Sequence, residues 1–480
     1  MRKEPMTERD FDLLLETSLP EAPPSDVTKW VNPWRTAMDR ILVGFALKGI
    51  TLHFFLLQYI LPAIGSVLLL LGFRSLRKEN LWFRLCYLIS VFQVAETLVC
   101  LVANATIYSG AVNRFLLGYA VPLLGVNLIQ LLCFWLGFRA VRKKAGLAPG
   151  AASAFALLVW SAIISWLGLL EVGNMPLLIG GIILVLYLCI LRCLWVLSTR
   201  LDEAGYAVRA APVRVEDGLV VKIFAGVLVV GMAVGYAFFD SYPMAWTPAV
   251  ETGHQEIKDH LVELGVPEQV VNDLTEEDLA ACEGALQVIV EQQRNHDVNF
   301  YGDELLVSEL AIQLDEDTWK LIHHFWWEND PGFYGMEGIQ IWPAYRQGEG
   351  WAQAGDWTGQ LLHDRDGQAY TAHYYRLGEE TYTSQTIFWG EQTSTDVFAE
   401  FSLPKEGENH RGYVAYDVQE VREGWVADSW LNYIHQSSKV QYPVRTPVEY
   451  RKSGSWSNHP YTMVQTALQF RVEEGTAKRF

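Results

Sequence analysis

The chain has 480 residues, half of them hydrophobic, and a formal net charge of −18. Residues 1–239 carry 21 Lys+Arg against 15 Asp+Glu, whereas residues 240–480 carry 16 against 40. Such asymmetry calls for two environments in one chain. The acidic half argues against nucleic acid as a partner, because phosphate contacts need clustered Lys and Arg.

The start, "MRKEPMTERDFDLLLETSLPEAPP", is polar and proline-containing and does not read as a cleavable signal. Residues 1–40 are expected to form a cytoplasmic tail. The run 41–73 follows, either as a tight hairpin broken near "QYILP" or as an in-plane helix ("PWRTAMDRILVGFALKG") with a re-entrant piece. Trp30 and Trp34, with Arg35 and Arg40, suit a membrane interface. A bilayer core about 30 Å thick needs about 20 apolar residues per helix. The runs 81–108, 115–138, 151–171, 176–197 and 219–239 meet that, and none recurs after Phe239. Residues 41–239 are therefore expected to form a transmembrane domain of six or seven hydrophobic segments in contact with the lipid bilayer.

Positive flanks orient the spans. Arg74, Arg77 and Lys78; Arg139, Arg142, Lys143 and Lys144; and Arg200, Arg209 and Arg214 can all face the cytoplasm together. The acidic half then lies outside the cell membrane. Three polar side chains stand at depth. Glu96 is costly if ionised there and should be protonated or paired. Asn127 and Gln130 share one helix face. A protonated Glu96 donating to Asn127 or Gln130 would tie two helices together. The sharper alternative is a proton- or cation-coupled path, against which stands the lack of a second intramembrane acid, since Glu171 is at a span end.

Residues 240–296 are expected to form a small helical segment. "HQEIKDHLVELG" spaces Ile257, Leu261 and Leu264 on one face and stops at Gly265. Pro267 opens "PEQVVNDL", and Thr275 caps "EEDLAACEGALQVIVEQQ", with Asp278 at the capping-box position. Residues 297–480 change to a period of two. Ten short strands argue an all-β sandwich or jelly-roll-like domain. "HDRDGQ" and "PKEGENHRG" read as hairpin turns.

Within "WKLIHHFWW", Trp319, Leu321, His323, Phe325 and Trp327 share one strand face, and Lys320, Ile322, His324 and Trp326 the other. The adjacent histidines point apart and cannot converge on one metal. Ten of 18 tryptophans fall after residue 318. Trp326, Trp342, Trp351 and Trp357 are candidate platforms for an extracytoplasmic peptide or carbohydrate ligand.

"VNPWRTAMDRIL", "ILPAIGSVLLLLGFRSLRKEN", "LGVPEQVVNDLTEEDLAACEGA" and "QTSTDVFAEFSLP" resemble uncharacterised multi-pass bacterial membrane proteins with a C-terminal extracytoplasmic domain. The resemblance covers most of the chain. It implies a membrane protein and supplies no catalytic residues. No G-x-S-x-G, H-E-x-x-H or Walker pattern occurs, and no cofactor is expected. The reading is a membrane-tethered extracytoplasmic binding or sensory protein. The alternatives are a transporter or permease component using Glu96 and Asn127, and a cell-envelope enzyme.

Overall fold

A computed structural model describes residues 33–479, apart from 51, 53, 149, 170–176, 205–210, 212–214, 297–303, 347, 349, 387–389 and 454–459. The tail with Trp30, and Glu171, Arg209 and Arg214, lie outside the described residues. The chain divides into two compact units, residues 1–101 with 113–230 and residues 102–112 with 231–480.

The first unit is helical: α1 (Pro33–Gly49), α2 (Leu57–Leu76), α3 (Leu81–Ala103), α4 (Ser109–Gly118), α5 (Ala120–Lys144), α6 (Ala152–Leu169), α7 (Leu177–Glu203) and α8 (Asp217–Phe238). The ends of α3 and α8 and the start of α4 are counted with the second unit. Among the described residues six helices are long and apolar enough to cross a membrane, α2, α3, α5, α6, α7 and α8. The chain is thus a multi-pass membrane protein, and its outward apolar side chains meet lipid.

The first hydrophobic run is split. α1 stops at Gly49 and α2 begins at Leu57, so the break precedes "QYILP" and Pro62 sits inside α2. The two helices run antiparallel at close range. An added Cβ on Gly44 would lie 2.9 Å from the Gly65 carbonyl, and one on Gly72 2.8 Å from the Ala37 carbonyl. Small residues let helix backbones approach where no hydrophobic effect drives association. Trp34 is buried inside the helical bundle rather than turned outward. It is 1% exposed, and its ring packs on Phe83 and Phe138. Packing against α7, where Tyr187 donates to the Phe45 carbonyl at 2.6 Å, draws α1 into the bundle.

The second unit is β-rich. Strand β1 (Thr247–Pro248) precedes three short helices, α9 (Gln255–Glu263), α10 (Glu268–Asp273) and α11 (Glu276–Ala281). Strands β2 (Val288–His296), β3 (Glu304–Gln313), β4 (Thr318–Asn329), β5 (Glu337–Trp342), β6 (Trp351–Gln353), β7 (Thr358–Arg365), β8 (Gln368–Ala372), β9 (Arg376–Thr386), β10 (Gly390–Phe401), β11 (Glu408–Glu420) and β12 (Ala427–Gln436) follow. Helix α12 (Pro447–Lys452) and strands β13 (Tyr461–Glu473) and β14 (Thr476–Arg479) complete it. One sheet has the order β1-β8-β7-β11-β4-β3-β2, with β6 also on β11, and the other β14-β13-β12-β5-β10-β9.

The sheets pack face to face. Trp319, Leu321, Phe325 and Trp327 of β4 meet Ile339 and Ile341 of β5, Tyr433 of β12 and Phe470 of β13 in one core. The other face of β4 belongs to a second core, where Ile322, with Leu310, Ile312 and Ala415, packs under Leu261, Val271 and Leu279 of the short helices. The two-face reading of "WKLIHHFWW" describes this strand, but both faces are covered.

Two expectations need correction. The stretch from "EEDLAACEGA" is not one helix: it ends at Ala281, and "VIVEQQ" forms β2 because its β-branched residues and alternation favour a sheet edge. "PKEGENHRG" is not a hairpin turn, since β10 pairs with β5 and β9 whereas β11 pairs with β4, β6 and β7. It carries the chain from one sheet to the other. "HDRDGQ" does form the β7–β8 hairpin, with Asp366 and Gly367 at φ 52° and 77°.

Candidate functional site

The helical unit gathers polar side chains at depth. α3 presents Ser90, Gln93 and Thr97 at helical spacing, and α5 presents Asn127 and Gln130. Gln130 donates to Ser90 Oγ at 2.9 Å, and Gln93 donates to Asn127 Oδ1 at 2.9 Å. Lys48, at the end of α1, donates to the same Asn127 oxygen at 3.0 Å. The partners of Asn127 and Gln130 are therefore Lys48, Gln93 and Ser90, not Glu96. The reason is register. Ser90 stands opposite Gln130, Gln93 opposite Asn127 and Phe83 opposite Gly137, so Glu96 falls one turn further, level with Leu124.

Lys48 and Gln93 did not stand out in the sequence. Lys48 closes an apolar run, where a lysine reads as a flank, and Gln93 is shadowed by Glu96 three positions on. Gln93 Oε1 is buried and accepts no hydrogen bond. The cluster thus holds a cation and an unused acceptor around Asn127, with the Glu96 carboxyl one turn away on α3.

The four candidate tryptophans of the β unit do not converge. Trp351 is 2% exposed, packs on Phe470 and donates its indole N–H to the Trp425 carbonyl at 3.1 Å, so it is a core residue. Trp357 stacks on Tyr416 with ring centroids 4.1 Å apart. Trp342 lies on the six-stranded sheet beside Trp430, with the Arg346 guanidinium 4.9 Å from its ring. Trp326 stands on the helix-covered face of the other sheet.

Trp326 lines a shallow groove of about 400 Å³ with Gln269, Asn272, Asp364, Asn409 and Arg411. Its indole N–H is buried without a hydrogen-bond partner. Arg411 is fixed by Asp273 at 2.8 Å and Asp364 at 3.0 Å, and Asn409 donates to Asp364 at 2.9 Å. Burial alone would lower the Arg411 pKa, but Asp273 and Asp364 outweigh it and hold it above its ordinary value. His324 bonds Asp273 from beneath at 2.8 Å. A half-buried indole thus sits beside a rigid ion-pair network and exposed Asn272 and Asn409. Such a surface can stack an apolar ring face and hydrogen-bond hydroxyl groups at its rim.

One constellation was invisible in the sequence because its members are far apart. His323 Nδ1 bonds the Glu309 carboxylate, and its Nε2 lies 2.9 Å from Ser429 Oγ. Glu309 and His323 are directly opposed on β3 and β4. The order serine, histidine, carboxylate is that of a nucleophilic triad. A nucleophile must touch its substrate, however, and here all three are at most 1% exposed. Tyr416 bonds Ser429 at 2.8 Å, and Thr466 of the opposite sheet bonds Glu309. The arrangement is a polar clamp through the sandwich, satisfied on every side.

No family model and no curated protein matches the chain. Among solved structures, a chain titled "Pore forming protein" aligns with 39% of this chain and 91% of its own length, at 6% identity and a TM-score of 0.18. A likeness at that level carries no argument about fold or activity.

Proposed function

We propose that the chain is a cell-membrane protein whose β unit stands outside the membrane and binds a hydroxyl-rich ligand of the carbohydrate class. The observation that carries this is the Trp326 groove: a half-buried indole with an unpartnered N–H, ringed by amide, carboxylate and guanidinium groups held in fixed geometry. Extracytoplasmic placement is supported by the cationic ends of α2, α5 and α7, which favour the cytoplasmic side. A cysteine replacing Ser453 in the β unit then reacts with a membrane-impermeant thiol reagent on intact cells, and one at Ala145 reacts only after lysis. The reverse pattern moves the β unit indoors. For the groove, purified full-length protein is titrated with a panel of neutral and acidic oligosaccharides, following tryptophan fluorescence. Saturable binding is expected, lost in Trp326→Ala and kept in Trp342→Ala. Binding of extended peptides with no sugar response replaces the carbohydrate class with the peptide class.

A second reading, transport, rests on the intramembrane cluster. On this reading Lys48 and the unused Gln93 acceptor, both at Asn127, with Glu96 one turn away on α3, line a path for a proton or a small cation. Glu96→Gln keeps size and hydrogen-bonding capacity but removes the titratable proton. Ion- or pH-driven uptake by the parent in sealed liposomes that vanishes in this variant selects transport, and equal behaviour of both rejects it.

A further inference from the structure

The turn between α2 and α3 opens into two adjoining crevices of about 700 and 620 Å³ that share Arg77, Lys78 and Tyr87. Arg84 lines one and Arg74 the other, so among the described residues four cations and no acid line the pair. Two acids nearby, Asp217 and Glu79, are already engaged. Asp217, at the head of α8, is held by Arg40 at 2.5 Å and Arg74 at 3.3 Å. Glu79 is buried and pairs with Lys144 at 2.9 Å. Lys78 and Arg84 are exposed. One helical turn deeper the lining becomes apolar: Leu88 and Val91 are 54% and 43% exposed on α3. A cationic rim that continues into an outward apolar helix face has the two-part character of a phospholipid.

We propose that these crevices seat an anionic glycerophospholipid, its phosphate among Arg77, Lys78 and Arg84 and its acyl chains along Leu88 and Val91. Guanidinium groups match phosphate oxygens in paired hydrogen bonds, and basic pockets between membrane helices recognise lipid head groups in this way. A soluble phosphate compound would leave the exposed leucine and valine unmatched. A zwitterionic lipid would bring its own cation to a rim that already carries the exposed Lys78 and Arg84. The site does not depend on which way the chain crosses the membrane, nor on the Trp326 groove.

The test uses the full chain, purified in mild detergent and stripped of lipid, then offered phosphatidylglycerol or phosphatidylcholine and read by native mass spectrometry. Phosphatidylglycerol is expected to be retained at least tenfold better, and equal retention of the two overturns the proposal on the parent protein alone. The double variant Lys78→Gln/Arg84→Gln is expected to weaken phosphatidylglycerol retention by about 30-fold, as two juxtamembrane charges are worth. Lys78→Arg/Arg84→Lys keeps it. Undiminished retention in the Gln pair overturns the assignment. Glycerol phosphate and inorganic phosphate are added as competitors. Displacement of the lipid by either at equimolar concentration overturns the lipid in favour of a soluble phosphate compound.

Discussion

The two units place paired charge differently: the β unit between its sheets and under its short helices, the helical unit mainly at helix ends. In the β unit, carboxylates are carried into the interior and locked: Glu309 against His323 and Thr466, Glu337 against His435 at 2.9 Å, and Asp278 against Lys320 at 3.2 Å. Burial would lower the pKa of Lys320, but Asp278 and Asp417 outweigh it and raise it. In the helical unit the links between α3 and α5 are neutral amides and hydroxyls joined by one cation, Lys48, Glu96 stays half-buried, and the buried carboxylate, Glu79, is paired at a helix end by the half-exposed Lys144. The difference follows from what each interior replaces. Folding of the β unit removes its chain from water, so a mispaired charge is penalised in full. A membrane helix starts in lipid, where the unpaired state also finds partners, and each link is worth less.

That contrast can be broken most severely at the boundary of the β unit. A fragment starting at residue 297 lacks β2 and the short helices, leaving Leu310, Ile312, Ile322 and Ala415 uncovered. It also strips Lys320 of Asp278 and Arg411 of Asp273. Such a fragment is expected to aggregate, whereas one starting near residue 240 gives more native-like circular dichroism. A cooperative melt for the 297 fragment would show that the helical cover is dispensable.

Next comes the clamp. Glu309→Ala leaves His323 without its carboxylate and should cost about 3–5 kcal/mol, the usual penalty for breaking a buried pair. Replacing Glu309 and His323 together with Leu and Phe should cost less than the single change. A double loss equal to the sum of the losses from Glu309→Leu and His323→Phe alone, read by chemical denaturation, would mean that the pair carries no coupling. In the helical unit, Gln130→Leu removes the bond to Ser90 and is expected to cost only about 1 kcal/mol. A loss as large as that at Glu309 would erase the contrast between the units.

The smallest effect is on pH. Burial, together with the neighbouring His410, lowers the pKa of His363 below its ordinary value, although the Asp364 backbone opposes this. The unfolded chain then takes up the proton first as pH falls. The contribution of His363 to stability is full above about pH 6.5 and is lost progressively below it. His363→Gln should flatten the melting temperature between pH 7 and 5, and an unchanged slope would assign the acid sensitivity elsewhere.

Much of the architecture was legible because it is local. Among the described residues, apolar runs of about 20 residues marked five of the six membrane-long helices, 115–138 against Ala120–Lys144 being the poorest fit, and the ten alternating stretches read from the sequence all fall on strands. Thr275 caps its helix by accepting from the Asp278 N–H, as its spacing suggests. What stayed hidden depends on pairing between distant segments. Trp351 and Trp326 look alike in sequence, and only sheet order separates a core ring from a groove wall. The Glu309–His323–Ser429 contact needs three strands in register, and the Lys48–Asn127–Gln93 cluster needs the end of α1 beside α3 and α5.

The short connection after α3 has a consequence for the timing of biogenesis. Residues 102–112 belong with the β unit, where Ile107 packs beside Met336 and Val444. Ser109 bonds the Val444 carbonyl, a partner 335 positions later in the chain. At about 5–20 residues per second, the ribosome delivers that partner roughly 17–67 s after Ser109 has been made. Throughout that interval an early membrane loop waits, unpaired, for a domain that does not yet exist.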